Sequence, residues 1–256
     1  MEFTGERAIE GKTREGVMRS HLARYEFAAT YCRGKDVLDV ACGTGYGSVI
    51  LLENGQALSV LGIDISAGAI AYAQERYSPR GPSFQVGDIL DLSQVNRLFD
   101  LIVCFETIEH TRAPKRALAE LARLLRPDGL LIISTPNRIL NSPGVPYWVE
   151  PCNEYHVREF SRREFQSLLS YEFEIVRLFG QCIFPYRGLA RILAGWIRRN
   201  IEQWYLRPGC SEIRPLRIYE EAFYFVPICR IRRRTRPLWR RAAGRAKRAL
   251  LALLRG

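Results

Sequence analysis

Paired CxxC cysteines are absent from this chain of 256 residues, as are apolar runs long enough to cross a bilayer and any acid from Arg230 onward. Its seven cysteines are odd in number and mostly sit inside apolar runs, where a free thiol behaves as a small hydrophobe. That speaks against a disulfide framework and suits a reducing cytosol. The first ten residues carry acids and no apolar leader segment, so the protein is expected to be made and kept inside the cell. Histidine is scarce at three residues, and no internal repeat is visible. What is abundant is positive charge, +11 in all, and it is concentrated. Residues 230–256 hold 11 of the 38 Lys and Arg and none of the 27 Asp and Glu, leaving the rest balanced at 27 against 27. The pattern is a basic appendage on a neutral body rather than a body that wraps nucleic acid across its face.

Short apolar runs at about 36–41, 58–63, 83–87, 99–105 and 129–135 read as strands, separated by helical spacing at about 46–54, 66–77 and 114–126. Such alternation implies an α/β fold with a parallel sheet covered by helices on both faces. A helix at 162–170 and strands at 173–179 and 223–229 complete seven strands. The stretch between the last two strands, about 181–221, is longer than a hairpin needs and rich in aromatics and arginines. It reads as an insertion over the substrate side.

The run Val37–Val40 breaks into Ala41-Cys42-Gly43-Thr44-Gly45, a buried strand turning abruptly into a helix. Gly43 and Gly45 permit a close backbone approach, and the helix start offers free N–H groups. Asp64 ends the next apolar run, where its carboxylate can accept both hydroxyl hydrogens of a ribose. A dinucleotide fingerprint would place a third glycine at position 48, and the chain has Ser48 there.

Taken in order, Asp39, Gly43, Gly45, Asp64, Gly87-Asp88-Ile89, the run Phe99–Glu106 and Leu124–Ser134 resemble the class I S-adenosylmethionine (SAM) methyltransferases, over about Phe3 to Arg230. The resemblance implies a doubly wound, Rossmann-like, mostly parallel seven-stranded sheet whose last strand is antiparallel. It implies that Asp39 and the glycine turn place the methionine part of SAM, Asp64 with Ile65 the ribose, and Asp88 with Ile89 the adenine. Residues 1–230 would be the methyltransferase domain and 231–256 the basic tail.

Directly after the fourth strand comes Glu106-Thr107-Ile108-Glu109-His110, two carboxylates and an imidazole within one turn. Such ligands suit a divalent metal such as Mg²⁺, Mn²⁺ or Zn²⁺. This E-x-x-E-H run is similar to that of the ubiquinone-pathway O-methyltransferases and small-RNA 2′-O-methyltransferases. That likeness implies a metal held by Glu106, Glu109, His110 and a later histidine, here His156, gripping an acceptor with adjacent hydroxyls. The competing reading keeps His110 as a metal-free general base, with Glu106 and Glu109 orienting it or capping the next helix.

The segments Phe3–Arg7, Arg24–Ala28, Ser134–Asn137 and His156–Phe160 resemble a bacterial type 11 branch associated with surface-glycan assembly. The expected reaction is therefore O-methylation of a sugar or a glycan or lipid-linked intermediate. RNA ribose 2′-O-methylation and methylation of a small quinone or catechol are the alternatives, and a SAM-binding protein without chemistry is the non-enzymatic one. In the tail, positions 239, 242, 246, 250, 253 and 254 form an apolar stripe with arginines opposite. This suits a helix on an anionic membrane at the inner face; a solvated tail or one touching RNA phosphates is the alternative.

Overall fold

Val, Leu and Ile dominate the short runs that become strands, because branched side chains pack well on a pleated surface covered on both faces. The fold is taken from a computed structural model that describes residues 8–232 apart from 10, 147, 185–191, 194–195, 197–210 and 219. Strands β1 (Asp36–Val40), β2 (Ser59–Asp64), β3 (Ser83–Val86), β4 (Phe99–Cys104) and β5 (Leu125–Ile133) are parallel neighbours in the order β3-β2-β1-β4-β5. A short β6 (Thr135–Pro136) follows β5. Beyond it lie β7 (Phe173–Phe184), β8 (Ile213–Pro215) and β9 (Glu221–Ile231). The last long strand, β9, inserts antiparallel between β5 and β7, and β8 extends the edge beside β7. The expected seven strands are thus present, and the order confirms the class I methyltransferase architecture with its antiparallel final strand.

Helices α1 (Glu15–Ala29), α2 (Tyr46–Glu53), α3 (Ala67–Tyr77), α4 (Pro114–Leu124), α5 (Arg138–Asn141) and α6 (Arg162–Leu169) flank the sheet. Alternation along a strand sorts the core into two layers. On β1, Leu38 and Val40 join Leu118, Leu121 and Phe165 of α4 and α6, whereas Val37 joins Tyr25, Val49 and Ile70 of the opposite helices. Asp39 has the same parity as Val37 and therefore faces α1 and α2.

Some features depart from the sequence reading. Helix α1 was not anticipated. β5 begins at Leu125 rather than near Gly129, because Leu125 pairs with Phe99 before the register shifts to Leu130 against Leu101. Arg126 in that bulge is tied to Asp100 at 2.7 Å and Asp36 at 3.3 Å. β7 runs on to Phe184 and β8 lies inside the anticipated insertion, so that segment begins later than position 181; most of it falls outside the described residues. Cys32, Cys42, Cys104, Cys152 and Cys229 are free thiols, but Cys182 is disulfide-bonded, contrary to a purely packing role. Among the described residues no helix is long and apolar enough to cross a membrane. The basic tail from 233 onward, Arg7 and the opening Phe3–Arg7 segment lie outside the described residues.

Candidate active site

A cleft of about 850 Å³ opens beyond the carboxyl ends of the parallel strands, where such sheets hold their ligands. One half is built from β1, β2 and β3 and the turns that follow them. Gly43, Asp64, Ile65, Asp88 and Ile89 all line it. The other half is built from α1, the turn after β4, and the β6–β9 pair, with His21, Glu106, His110, Pro136, His156 and Tyr224 in its walls.

The two glycines of the turn have different tasks. Gly43 has φ 56°, and a Cβ built there meets nothing within 4 Å, so its bare backbone fronts the cleft. Gly45 has φ 87° and faces protein: a Cβ would lie 2.7 Å from Ala73 Cβ and 2.9 Å from the Phe84 ring. The missing side chain at Gly45 lets α2 start close against α3 and β3. Asp64 is 5 % exposed and accepts from Gly43 N at 3.0 Å and Ser66 N at 2.8 Å, which fixes the carboxylate at the rim of the turn. Asp88 accepts from Leu90 N at 2.8 Å, so the carboxylate that lines the cleft also closes its own turn.

Asp39 does not line the cleft. It is fully buried, and its oxygens accept from Ser48 Oγ at 2.7 Å and Tyr25 Oη at 3.2 Å, joining β1 to α2 and α1. Burial pushes its carboxyl up to about 7 against the pull of those two hydrogen bonds. Ser48, standing where a third glycine was absent, is thereby accounted for.

After β4 the chain turns sharply. Glu106 holds φ 50°, a left-handed conformation uncommon outside glycine. Its carboxylate accepts from Ser134 Oγ at 2.5 Å. Glu109 is completely buried and accepts from Thr135 Oγ1 at 3.0 Å through Oε2, while its Oε1 has no partner. Burial first, and Glu106 second, raise the Glu109 carboxyl well above the usual range. His110 donates from Nδ1 to the Tyr155 carbonyl at 2.8 Å. A carbonyl can only accept, so the neutral ring carries its lone pair on Nε2. The Tyr155–Arg158 segment is held against this turn by Val157 N and Arg158 N, both donating to the Glu109 carbonyl at 3.0 Å.

That docking brings the His156 ring to 5.0 Å from the His110 ring, centroid to centroid. Ligand atoms of Glu109, His110 and His156 lie within 4.8 Å of one another. His156 is oriented by Glu159, whose Oε1 sits 2.8 Å from Nδ1, and its Nε2 lies 3.0 Å from Asn153 Nδ2. Three of the four anticipated ligands thus converge; Glu106 instead turns to Ser134. His21, Tyr25 and Tyr224 were missed as cleft residues. The one available signal was the four-residue spacing of Val17, His21 and Tyr25, which puts all three on one helix face.

A Rossmann-like sheet with this cleft and turn defines a nucleotide-type ligand-binding fold, and comparison with known proteins fixes its class. Residues 32–178 match the family described as a methyltransferase domain. A probable SAM-dependent methyltransferase of Mycolicibacterium smegmatis is 35 % identical over 194 residues, covering 75 % of this chain and 72 % of that one. One from Mycobacterium tuberculosis is 37 % identical over 170 residues, 66 % of this chain and 60 % of its own length. A ubiquinone biosynthesis O-methyltransferase of Coxiella burnetii is 37 % identical over 108 residues, 41 % of this chain and 45 % of that one. Among solved structures, the N-methyltransferase NodS of Bradyrhizobium japonicum with S-adenosylhomocysteine (SAH) superposes with TM-score 0.57 at 15 % identity, covering 87 % of this chain and 90 % of that one. The chain belongs to the class I SAM-dependent methyltransferases: it is an enzyme, and SAM is its cofactor.

Proposed function

We propose that this methyltransferase acts on a hydroxyl oxygen of an acceptor bearing a neighbouring hydroxyl, with a sugar or a glycan or lipid-linked intermediate as the favoured class. The observation that carries the reading is the convergence, within 4.8 Å, of the buried Glu109 with His110 and His156, the two histidines lining the acceptor half of the cleft. SAM would lie in the other half, its ribose hydroxyls on Asp64, its adenine by Asp88, Ile65 and Ile89, and its methionine part over Gly43. Asp39 and Gly45 would act behind that surface, by shaping the turn.

In the transfer, the acceptor oxygen attacks the methyl carbon in line, the carbon–sulfur bond breaks, and its electron pair returns to sulfur to give SAH. Holding both partners in one cleft supplies much of the rate. The acceptor hydroxyl must lose its proton. With its Nδ1–H committed to Tyr155, His110 offers Nε2 to receive it.

The same residues fit a divalent cation. A buried carboxylate with an orphaned oxygen and two imidazoles form a donor set suited to Mg²⁺, Mn²⁺ or Zn²⁺, and Glu159 stands behind His156 as a carboxylate behind a metal-ligating histidine does. Glu109, His110 and His156 would hold the ion, which when bound lowers the pKa of a hydroxyl it touches. In that arrangement the two imidazoles position the acceptor.

The ubiquinone-pathway relative favours a second reading, a small catechol- or quinone-type acceptor. RNA ribose methylation shares the diol argument and would use the basic tail for phosphates. The proposed location is the cytoplasm, with the basic tail against the anionic inner membrane face. Mass spectrometry of a cell glycan extract after incubation with enzyme and isotopically labelled SAM tests the acceptor; label appearing only on catechols or on RNA overturns the glycan reading. Activity that vanishes with a chelator, returns with a divalent ion, and is abolished by His110→Ala and by His156→Ala supports the metal. Full activity after exhaustive chelation assigns His110 as the base.

A further inference from the structure

Arg24 is 1 % exposed, and the side chains that touch its guanidinium among the described residues, Gln181 and Tyr224, are neutral. Nη1 donates to Gln181 Oε1 at 2.6 Å, and Cζ sits 4.7 Å from the centre of the Tyr224 ring. Its Nε and Nη2 are buried without a partner. Among the described residues no carboxylate pairs with it. An uncompensated buried charge is costly, and folds retain one chiefly where something else supplies the counter-charge.

The position of this charge says what. Gln181 belongs to β7 and Tyr224 to β9, directly paired across the sheet, and Tyr224 lines the cleft. β7 stands four strands from β1, roughly 19 Å at about 4.8 Å per strand, so the guanidinium held by Gln181 lies on the β7–β9 side of the sheet, away from the glycine turn. His21, about one turn earlier on α1, lines the same wall. Burial, reinforced by Arg24, holds its imidazole well below the ordinary value, so it is neutral and able to donate or accept. The acids that do line the cleft, Asp64, Asp88 and Glu106, stand at the end of β2 or just after β3 and β4.

We propose that His21 and Arg24, the latter lying behind the Tyr224 ring and not in the cleft lining, form an anion-recognition wall with Tyr224 as its movable cover, so that the acceptor carries a phosphate or carboxylate group near the methylated hydroxyl. This rests on the acceptor occupying the β6–β9 half of the cleft, as proposed above. Tyr224 is half-buried and covers the guanidinium; the acceptor's anion takes the place of its ring against Nε and Nη2, with His21 as the flanking donor.

The test uses the full chain saturated with SAH, titrated separately with inorganic phosphate, 3,4-dihydroxybenzoate and uncharged catechol. Binding is followed by calorimetry and by the ring-proton NMR signals of the three histidines, with His21 assigned through His21→Gln. Phosphate and 3,4-dihydroxybenzoate should move the His21 signal, and 3,4-dihydroxybenzoate should bind at least tenfold more tightly than catechol. Arg24→Met should abolish that preference and Arg24→Lys should keep part of it, both with wild-type SAH affinity. Equal binding of charged and uncharged compounds by the wild type, or no shift of His21, overturns the proposal without recourse to any variant. A tenfold loss of SAH affinity in Arg24→Met also overturns it, since the guanidinium would then serve the donor's carboxylate. Absence of methyl transfer to any acceptor while the anion preference persists counts against the proposed reaction and leaves this wall standing.

Discussion

Asp64 has two tasks, accepting backbone N–H groups from Gly43 and Ser66 while standing at the cleft rim where a ribose would lie. Asp64→Ala should weaken SAM binding by about 1–3 kcal/mol, the cost of leaving buried partners unsatisfied. Calorimetry finding unchanged affinity in both Asp64→Ala and Gly43→Val would remove the ribose assignment. Asp39 carries a different kind of prediction. Its carboxyl is raised from 3.8 to about 7, so the folded protein holds a proton there that the unfolded chain has already released. Stability from this group is full below about pH 4 and is lost as pH rises to about 7, an effect on the order of a few kcal/mol. In Asp39→Asn, which keeps an acceptor for Ser48 or Tyr25, the denaturation midpoint should fall less between those limits. A midpoint with the same pH dependence in both proteins would show that Asp39 does not titrate there.

At the scale of elements, the turn between β1 and α2 separates ligand contact from packing. Gly43→Ala and Gly45→Ala both force a side chain into the left-handed region, at about 1–2 kcal/mol. Only Gly45→Ala also drives a Cβ into Ala73 and Phe84, adding about 1–3 kcal/mol of overpacking. Denaturant titration should therefore find Gly45→Ala the less stable, and SAM calorimetry should find Gly43→Ala the more impaired relative to its stability. Equal losses of stability would contradict the packing role of Gly45. The strands that frame this turn were legible because continuous apolar runs bounded by Gly and Asp are local signals. Helix α1 was not, because its inward face includes Ser20 and Arg24, which no hydrophobic period reveals.

Across the whole molecule, the basic tail and the catalytic body are separable in sequence, and the structure moves the seam. β9 continues to Ile231, and Arg232 closes on the β7 end, donating from N to the Glu172 carbonyl at 2.8 Å and from Nη1 to the Ser170 carbonyl at 2.7 Å. A truncation should therefore follow Arg232 rather than Arg230. Each base near an anionic bilayer contributes about 1 kcal/mol at low salt. Removing residues 233–256 should thus release the protein from anionic vesicles in a sedimentation assay and leave turnover of a soluble acceptor unchanged. Full-length protein that ignores such vesicles but retains RNA would overturn the membrane reading. The fold itself does not choose the reaction.

Local chemistry in the sequence settled the sheet and the glycine turn, because strand period, turn residues and an acid at a strand end are all short-range patterns; the SAM class came from the resemblance carried by the motifs taken in order. Tertiary structure decided which of the acids and histidines meet. It put Asp39 behind the cleft, turned Glu106 toward Ser134, and docked the His156 segment onto the Glu109 carbonyl so that two imidazoles and a buried carboxylate converge. It also laid α1 across the acceptor half, bringing Arg24 to Gln181, a partner 157 residues away. Contacts of that range depend on how separate elements pack, and no spacing along the chain encodes them.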